Sequence, residues 1–100
     1  MTNALVKKTA TSIRVEDLGF TTPMPITIVR YHDTDIVIIS EHVITLDTGG
    51  WFTPTTKRRM NEASKEFNLG FTVYQLDGLW YVRDGEVRYR FVGNKAVISR

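Results

Sequence analysis

The sequence predicts an α+β fold, with one helix packed on an antiparallel sheet of about six or seven short strands. The expected order is three strands, the helix, then three strands. Three observations carry that expectation. Runs rich in β-branched residues at 26–31, 36–39 and 42–46 are separated by turn residues. A single stretch, 55–68, has apolar residues at helical spacing, with threonines before it and a glycine after it. Asp-Gly pairs at 77–78 and 84–85 divide an alternating C-terminal third into hairpins.

One hundred residues make one compact domain, and a hydrophobic fraction of 42% is enough for a core, although a small one. The chain has no cysteine, which excludes disulfides and thiolate metal sites and fits a reducing cytoplasm. No apolar run approaches the length of a membrane span. Lys7 and Lys8 are not followed by an apolar stretch, so the start does not read as a secretory signal. Thirteen Lys and Arg against eleven Asp and Glu leave a net charge of +2. Such a mild excess permits a polyanionic partner without demanding one.

Residues 1–22 read as a partly ordered arm, and 23–100 as the folded domain. Within the arm, Ile13 and Val15 alternate with Arg14 and Glu16, the pattern of a short edge strand. Gly19 and Pro23-Met24-Pro25 then punctuate the chain. After the first full strand, residues 32–35 are turn chemistry. A two-residue loop at Ser40-Glu41 would set Ile39 opposite His42 and Val37 opposite Ile44. Ile36, Ile38, Val43 and Thr45 would share the other face. Both faces are apolar, so these strands belong at the centre of the fold.

Residues 47–50 break the third strand. Thr53 or Thr55 can cap the helix, Pro54 suits its first turn, and Gly70 stands where a left-handed C-terminal residue belongs. Thr56, Met60, Ala63 and Phe67 form one stripe, which packs on the sheet. Arg58, Asn61, Glu62 and Lys65 point away from it. Beyond the helix, two-residue loops pair Val73 with Val82 and Gln75 with Trp80, then Val82 with Val87 and Trp80 with Tyr89. That face reads as core, and the helix is expected on it. On the reverse, Tyr74, Tyr81 and Arg88 form one row, and Thr72, Arg83 and Glu86 the next. Leu76, Leu79 and Arg90 complete that face. A short final strand at 96–98 follows the Gly93-Asn94 turn.

The block from Ile44 to Asn61 reads ITLDTGGWFTPTTKRRMN, and it continues through Leu69-Gly70 to Trp80-Tyr81-Val82. This text resembles a recurring block in small uncharacterised proteins of bacteriophages and prophages. There, a Thr-Gly-Gly-Trp element precedes Thr-Thr-Lys, an Arg and a Met-Asn pair. The resemblance implies a phage protein at work in the cytoplasm of the bacterial host, and no particular activity.

Three groups of residues are candidates for binding. At the helix start, Thr55 and Thr56 offer hydroxyls beside unsatisfied first-turn amides, with Lys57, Arg58 and Arg59 next to them and Asn61 one turn on. Cations at that end oppose the helix dipole, a conflict that a bound phosphate would remove. The bland alternative is an ordinary threonine cap with a solvated basic face. Trp51, after two glycines, can stack on a base or cover a core edge. The Tyr74, Tyr81, Arg83, Arg88 and Arg90 face interleaves rings with guanidinium groups, as surfaces for single strands do. Its alternative is a structural Tyr–Arg ladder.

Catalysis has little support. The His32, Asp33 and Asp35 cluster is ordinary hairpin-turn chemistry, and His42 stands alone on an apolar strand. No phosphate loop, nucleophile elbow or Cys/His cluster occurs. The expectation is therefore a non-enzyme without metal or cofactor. Its partner would be nucleic acid (DNA or RNA) or, alternatively, a host protein such as a polymerase or defence nuclease. A structural or homo-oligomeric role is the third class.

Overall fold

The computed structural model describes residues 10–16 and 25–100. Eight strands and one helix form among them, in the order β1 (Thr11–Glu16), β2 (Ile26–Tyr31), β3 (Thr34–Ile39), β4 (Val43–Asp47), α1 (Pro54–Glu66), β5 (Phe71–Leu76), β6 (Leu79–Asp84), β7 (Val87–Arg90) and β8 (Lys95–Ser99). The edge strand read at Ile13–Val15 is present as β1. The rest of the expected arm, with Pro23 and Met24, lies outside the described residues.

The class is α+β, and the strands divide between two antiparallel sheets. One has the order β1-β2-β3-β4-β8 and the other β5-β6-β7. A single sheet was the sequence expectation. The division arises at Gly93-Asn94, where Val92 bridges to Lys95 and the chain turns. From there β8 runs along β4, pairing Ile44 with Ile98 and Leu46 with Ala96, rather than continuing the β5–β7 meander.

Turn chemistry accounts for where the pairing follows expectation and where it departs. Asp77 and Gly78 both adopt positive φ, 52° and 80°, the geometry of the tight turn that suits right-twisted strands. Val73 therefore faces Val82, and Gln75 faces Trp80, as read. Elsewhere the turns sit later in the chain. The β6–β7 loop is Gly85-Glu86 rather than Asp84-Gly85, so Asp84 faces Val87 and Val82 faces Tyr89. Between β3 and β4 the loop is longer than two residues, closed by Ser40 N–H donating to the Val43 carbonyl at 3.0 Å. Ile39 therefore faces Ile44, and Val37 faces Leu46. His42 lies exposed in that loop, not on an apolar strand face. Both departures are shifts of two residues, so the paired residues of β3–β4 and β6–β7 keep their expected faces, while His42 leaves the strand.

At Val29/Arg30 the β2–β3 register shifts, with Val29 opposite Val37 and Arg30 opposite Asp35. Ile36 is the extra residue. Such a bulge explains how two consecutive residues, Ile36 and Val37, are both buried in the core. The reverse of this sheet is only partly covered, for Ile28 is buried whereas Val43 and Val97 are exposed.

The core lies between the two sheets and the helix. Met60 and Ala63 are buried with Val29, Val37, Val73, Val82, Trp80 and Ile98. The helix thus covers the Val73/Val82/Trp80 side of the small sheet, and the Thr56/Met60/Ala63 stripe is its buried face. Thr53 is the N-cap, its Oγ1 accepting from Thr56 N–H at 3.2 Å. At the other end the left-handed residue is Asn68, not Gly70 alone. Leu69 N–H donates to the Ser64 carbonyl and Asn68 N–H to that of Lys65, the paired bonds that close a helix C-terminus.

Candidate nucleic-acid interface

Period-two alternation in β5–β7 sends one set of side chains to the core and the other outward. The outward set contains all five sheet residues singled out from sequence. Tyr74 and Tyr81 are direct cross-strand partners, and their rings stack with centroids 5.7 Å apart and planes 22° from parallel. The Arg88 guanidinium carbon lies 5.0 Å from the Tyr81 ring centre. Arg90 faces Tyr81 across the strands, and Arg83 faces Arg88. All three arginines are exposed. Among the described residues none of the three is in an ion pair. Like charges directly opposite one another destabilise a sheet. An approaching anion relieves that repulsion.

The helix start is built differently. Asp47 Oδ1 accepts from Gly49 N–H at 2.8 Å, and Thr48 Oγ1 from Gly50 N–H at 3.2 Å. Gly49 has φ +62°, and a Cβ there would overlap Thr34 Oγ1 and lie 2.8 Å from its Cγ2. The glycine is thus required by close approach to the β2–β3 hairpin. This turn delivers Trp51 to the surface, 59% exposed. With Tyr31, His32, Asp33, Thr53 and Thr55, Trp51 lines a cleft of about 440 Å³.

The basic residues of the helix diverge. Lys57 Nζ sits 5.7 Å above the Trp80 ring, and Arg58 is exposed. Arg59 is buried, with Nη1 donating to Glu62 Oε1 at 2.8 Å and its guanidinium 5.8 Å from the Tyr31 ring centre. Thr56 is fully buried with its hydroxyl 3.1 Å from that of Thr53. Asn61 does not point away from the fold. Its amide donates to the Val73 carbonyl at 2.9 Å and accepts from Val73 N–H at 2.7 Å. Of the helix residues singled out, Arg58 and Thr55 retain access to solvent without these internal ties. They lie on the helix side of the small sheet, whereas Tyr74 and Tyr81 lie on its reverse. The candidate residues therefore form two surfaces, not one.

The family model for the Kyanoviridae Gp96 protein matches residues 1–97. The chain belongs to that family. It is a bacteriophage family, the context implied by the Thr48–Trp51 block. No curated protein and no solved structure matches the chain significantly.

In this Kyanoviridae Gp96 family member the acidic turn has a structural occupation. Arg14 donates to both Asp35 oxygens at 3.2 and 3.0 Å, and Arg30 donates to Oδ1 at 3.2 Å. The Arg14 guanidinium holds the Asp35 carboxyl below the usual carboxylate range. Among the described residues no three His, Asp or Glu side chains are grouped to hold a metal, and no helix is long and apolar enough to cross a membrane.

Sequence reasoning missed Phe52. It precedes the N-cap, where an apolar residue commonly packs against the fourth helical position. That position is Lys57, so the usual partner is absent. Phe52 instead meets Trp80 edge to face at 5.3 Å and stays 46% exposed. An aromatic residue before a helix with no apolar residue at the fourth position was the available signal.

Proposed function

We propose that this is a small, non-catalytic phage protein that binds single-stranded nucleic acid across the Tyr74/Tyr81 face, in the cytoplasm of its host. One observation carries the reading: a stacked tyrosine pair on a sheet surface, surrounded by three exposed arginines that have no carboxylate partner among the described residues. Rings offer sequence-tolerant stacking, and guanidinium groups meet phosphates. Arg58 supplies positive charge on the far side of the sheet, in an accessory role.

The test is retardation of a single-stranded oligonucleotide at low salt. Combining Arg83→Ala, Arg88→Ala and Arg90→Ala should weaken it strongly while the fold persists. The dependence of log affinity on log salt should flatten by about 2, at about 0.7 per phosphate contact on a single strand. Wild-type protein that retards neither DNA nor RNA overturns the reading.

Tyr81→Ala separates binding from structure. It should lower stability by only about 0.2–1 kcal/mol, the scale of one cross-strand pair. Oligonucleotide binding should weaken by about 1–3 kcal/mol, the value of one stacked base. A stability loss of about 3–5 kcal/mol, as for a core aromatic, would show the row to be structural.

A second reading, capture of a host polymerase or defence nuclease, draws on Leu76 and Leu79, 48% and 41% exposed at the end of the same face. A pull-down from host lysate distinguishes the two. Partners lost on nuclease treatment support nucleic acid, and one protein retained supports a host target.

A further inference from the structure

At the closed end of the β5–β6 hairpin the two faces of the small sheet meet. A cleft of about 370 Å³ opens there, walled by Phe52, Trp80, Phe91 and Leu79, with Gln75 and Arg90 at its margin. We infer that this cleft is a nucleobase pocket, which takes the end nucleotide of a strand lying on the Tyr74/Tyr81 face. The inference rests on the proposed nucleic-acid reading of that face and extends it to a second, separately testable site.

Chemistry and placement both point to a base. The walls are aromatic and mutually braced. Phe52 meets Trp80 at 87°, and Phe91 meets it at 80° with centroids 5.7 Å apart. Lys57 lies over the Trp80 ring, so the exposed ring available for stacking is that of Phe52. Its edge contact with Trp80 braces the ring while nearly half its surface stays in water. Gln75 is exposed, and its amide carries both donors and an acceptor, the complement of a base edge. Arg90 lines the cleft and is also the cross-strand partner of Tyr81, so one residue borders both the cleft and the tyrosine row. The lining holds a cation and no carboxylate. Gly78 and Gly93 leave the mouth open, for a Cβ at either would meet no atom within 4 Å. The volume falls in the range of small-molecule sites, about 300–1,000 Å³.

Trp80 is its own reporter once Trp51→Phe removes the other tryptophan. In that variant, adenosine monophosphate should quench the fluorescence saturably, and ribose 5-phosphate, which lacks the base, should not. Adding Phe52→Ala should weaken the nucleotide about tenfold, within the range for one lost stack. Phe52→Leu, which keeps apolar bulk without a ring face, should weaken it comparably and guards against a simple loss of fold. Retardation of a single-stranded oligonucleotide is measured alongside. Equal quenching by ribose 5-phosphate would overturn the base assignment. Oligonucleotide binding without nucleotide quenching would overturn the cleft and leave the tyrosine face standing. Phe52-dependent nucleotide quenching without oligonucleotide binding would uphold the cleft and remove the reading of the face.

Discussion

Met60→Asp should leave no cooperatively folded protein. Met60 is fully buried at the centre of the cluster that joins the helix to both sheets. Truncating such a side chain costs about 2–5 kcal/mol. Burying a polar group without a partner adds about 2–7 kcal/mol. The sum rivals the whole stability of a small domain, about 5–15 kcal/mol. The carboxylate cannot reach water without withdrawing the helix from β5, because Ala63 on the same stripe is also buried. Met60→Leu, similar in volume, should cost less than about 1.5 kcal/mol. Thermal melts of both variants check the expectation. A Met60→Asp protein that melts like wild type would mean that the helix does not cover the core.

The second large effect is expected at Asn61. β5 is an edge strand of the small sheet. Its Val73 N–H and C=O, on a residue only 2% exposed, are satisfied by the Asn61 side chain, which takes the place of a neighbouring strand. One turn further, Ser64 Oγ donates to the Phe71 carbonyl at 2.7 Å. The helix thus closes the β5 edge with side-chain hydrogen bonds. Asn61→Leu fills the same space and leaves the two Val73 groups unmet, at about 1–3 kcal/mol for each buried group. Leucine's better helix propensity returns only about half a kcal/mol. The net expectation is a loss of about 2–5 kcal/mol, read as a lower denaturant midpoint with unchanged slope. The Val73 amide should exchange its hydrogen faster, and the freed edge should favour self-association. Exchange at Val73 that matches wild type would refute this account of Asn61.

Asn61 also shows why part of the candidate site was hidden in the sequence. Helical spacing places it one residue beyond Met60, at the margin of the buried stripe, and a polar residue there reads as solvent-facing. Only the position of β5 relative to the helix turns it into a backbone partner. Arg59 is similar. The run Lys57-Arg58-Arg59 reads as one basic patch, because charge is visible in a sequence and direction around a helix is only approximate. Packing sends Lys57 to Trp80 and Arg59 to Tyr31 and Glu62, and leaves Arg58 in solvent. The sheet face was more legible. Two-residue periodicity assigns Tyr74, Tyr81, Arg83, Arg88 and Arg90 to one side whatever the turn length, provided that the register slips by an even number.

By itself the sequence determined the local features of this protein. It marked Pro54 as a first-turn residue with Thr53 or Thr55 as the cap, the tight turn at Asp77-Gly78, the buried helix stripe and the inner and outer faces of β5, β6 and β7. These follow from interactions among residues close in the chain, whose strength does not depend on the rest of the fold. Tertiary structure alone decided the return of β8 to β4, the division into two sheets, the closing of the β5 edge by Asn61 and the aromatic cleft around Trp80. Each of these depends on which distant segment is near. Many pairings satisfy the backbone equally well, and the one adopted is selected by the common core that Met60, Val73, Val82 and Ile98 bury together.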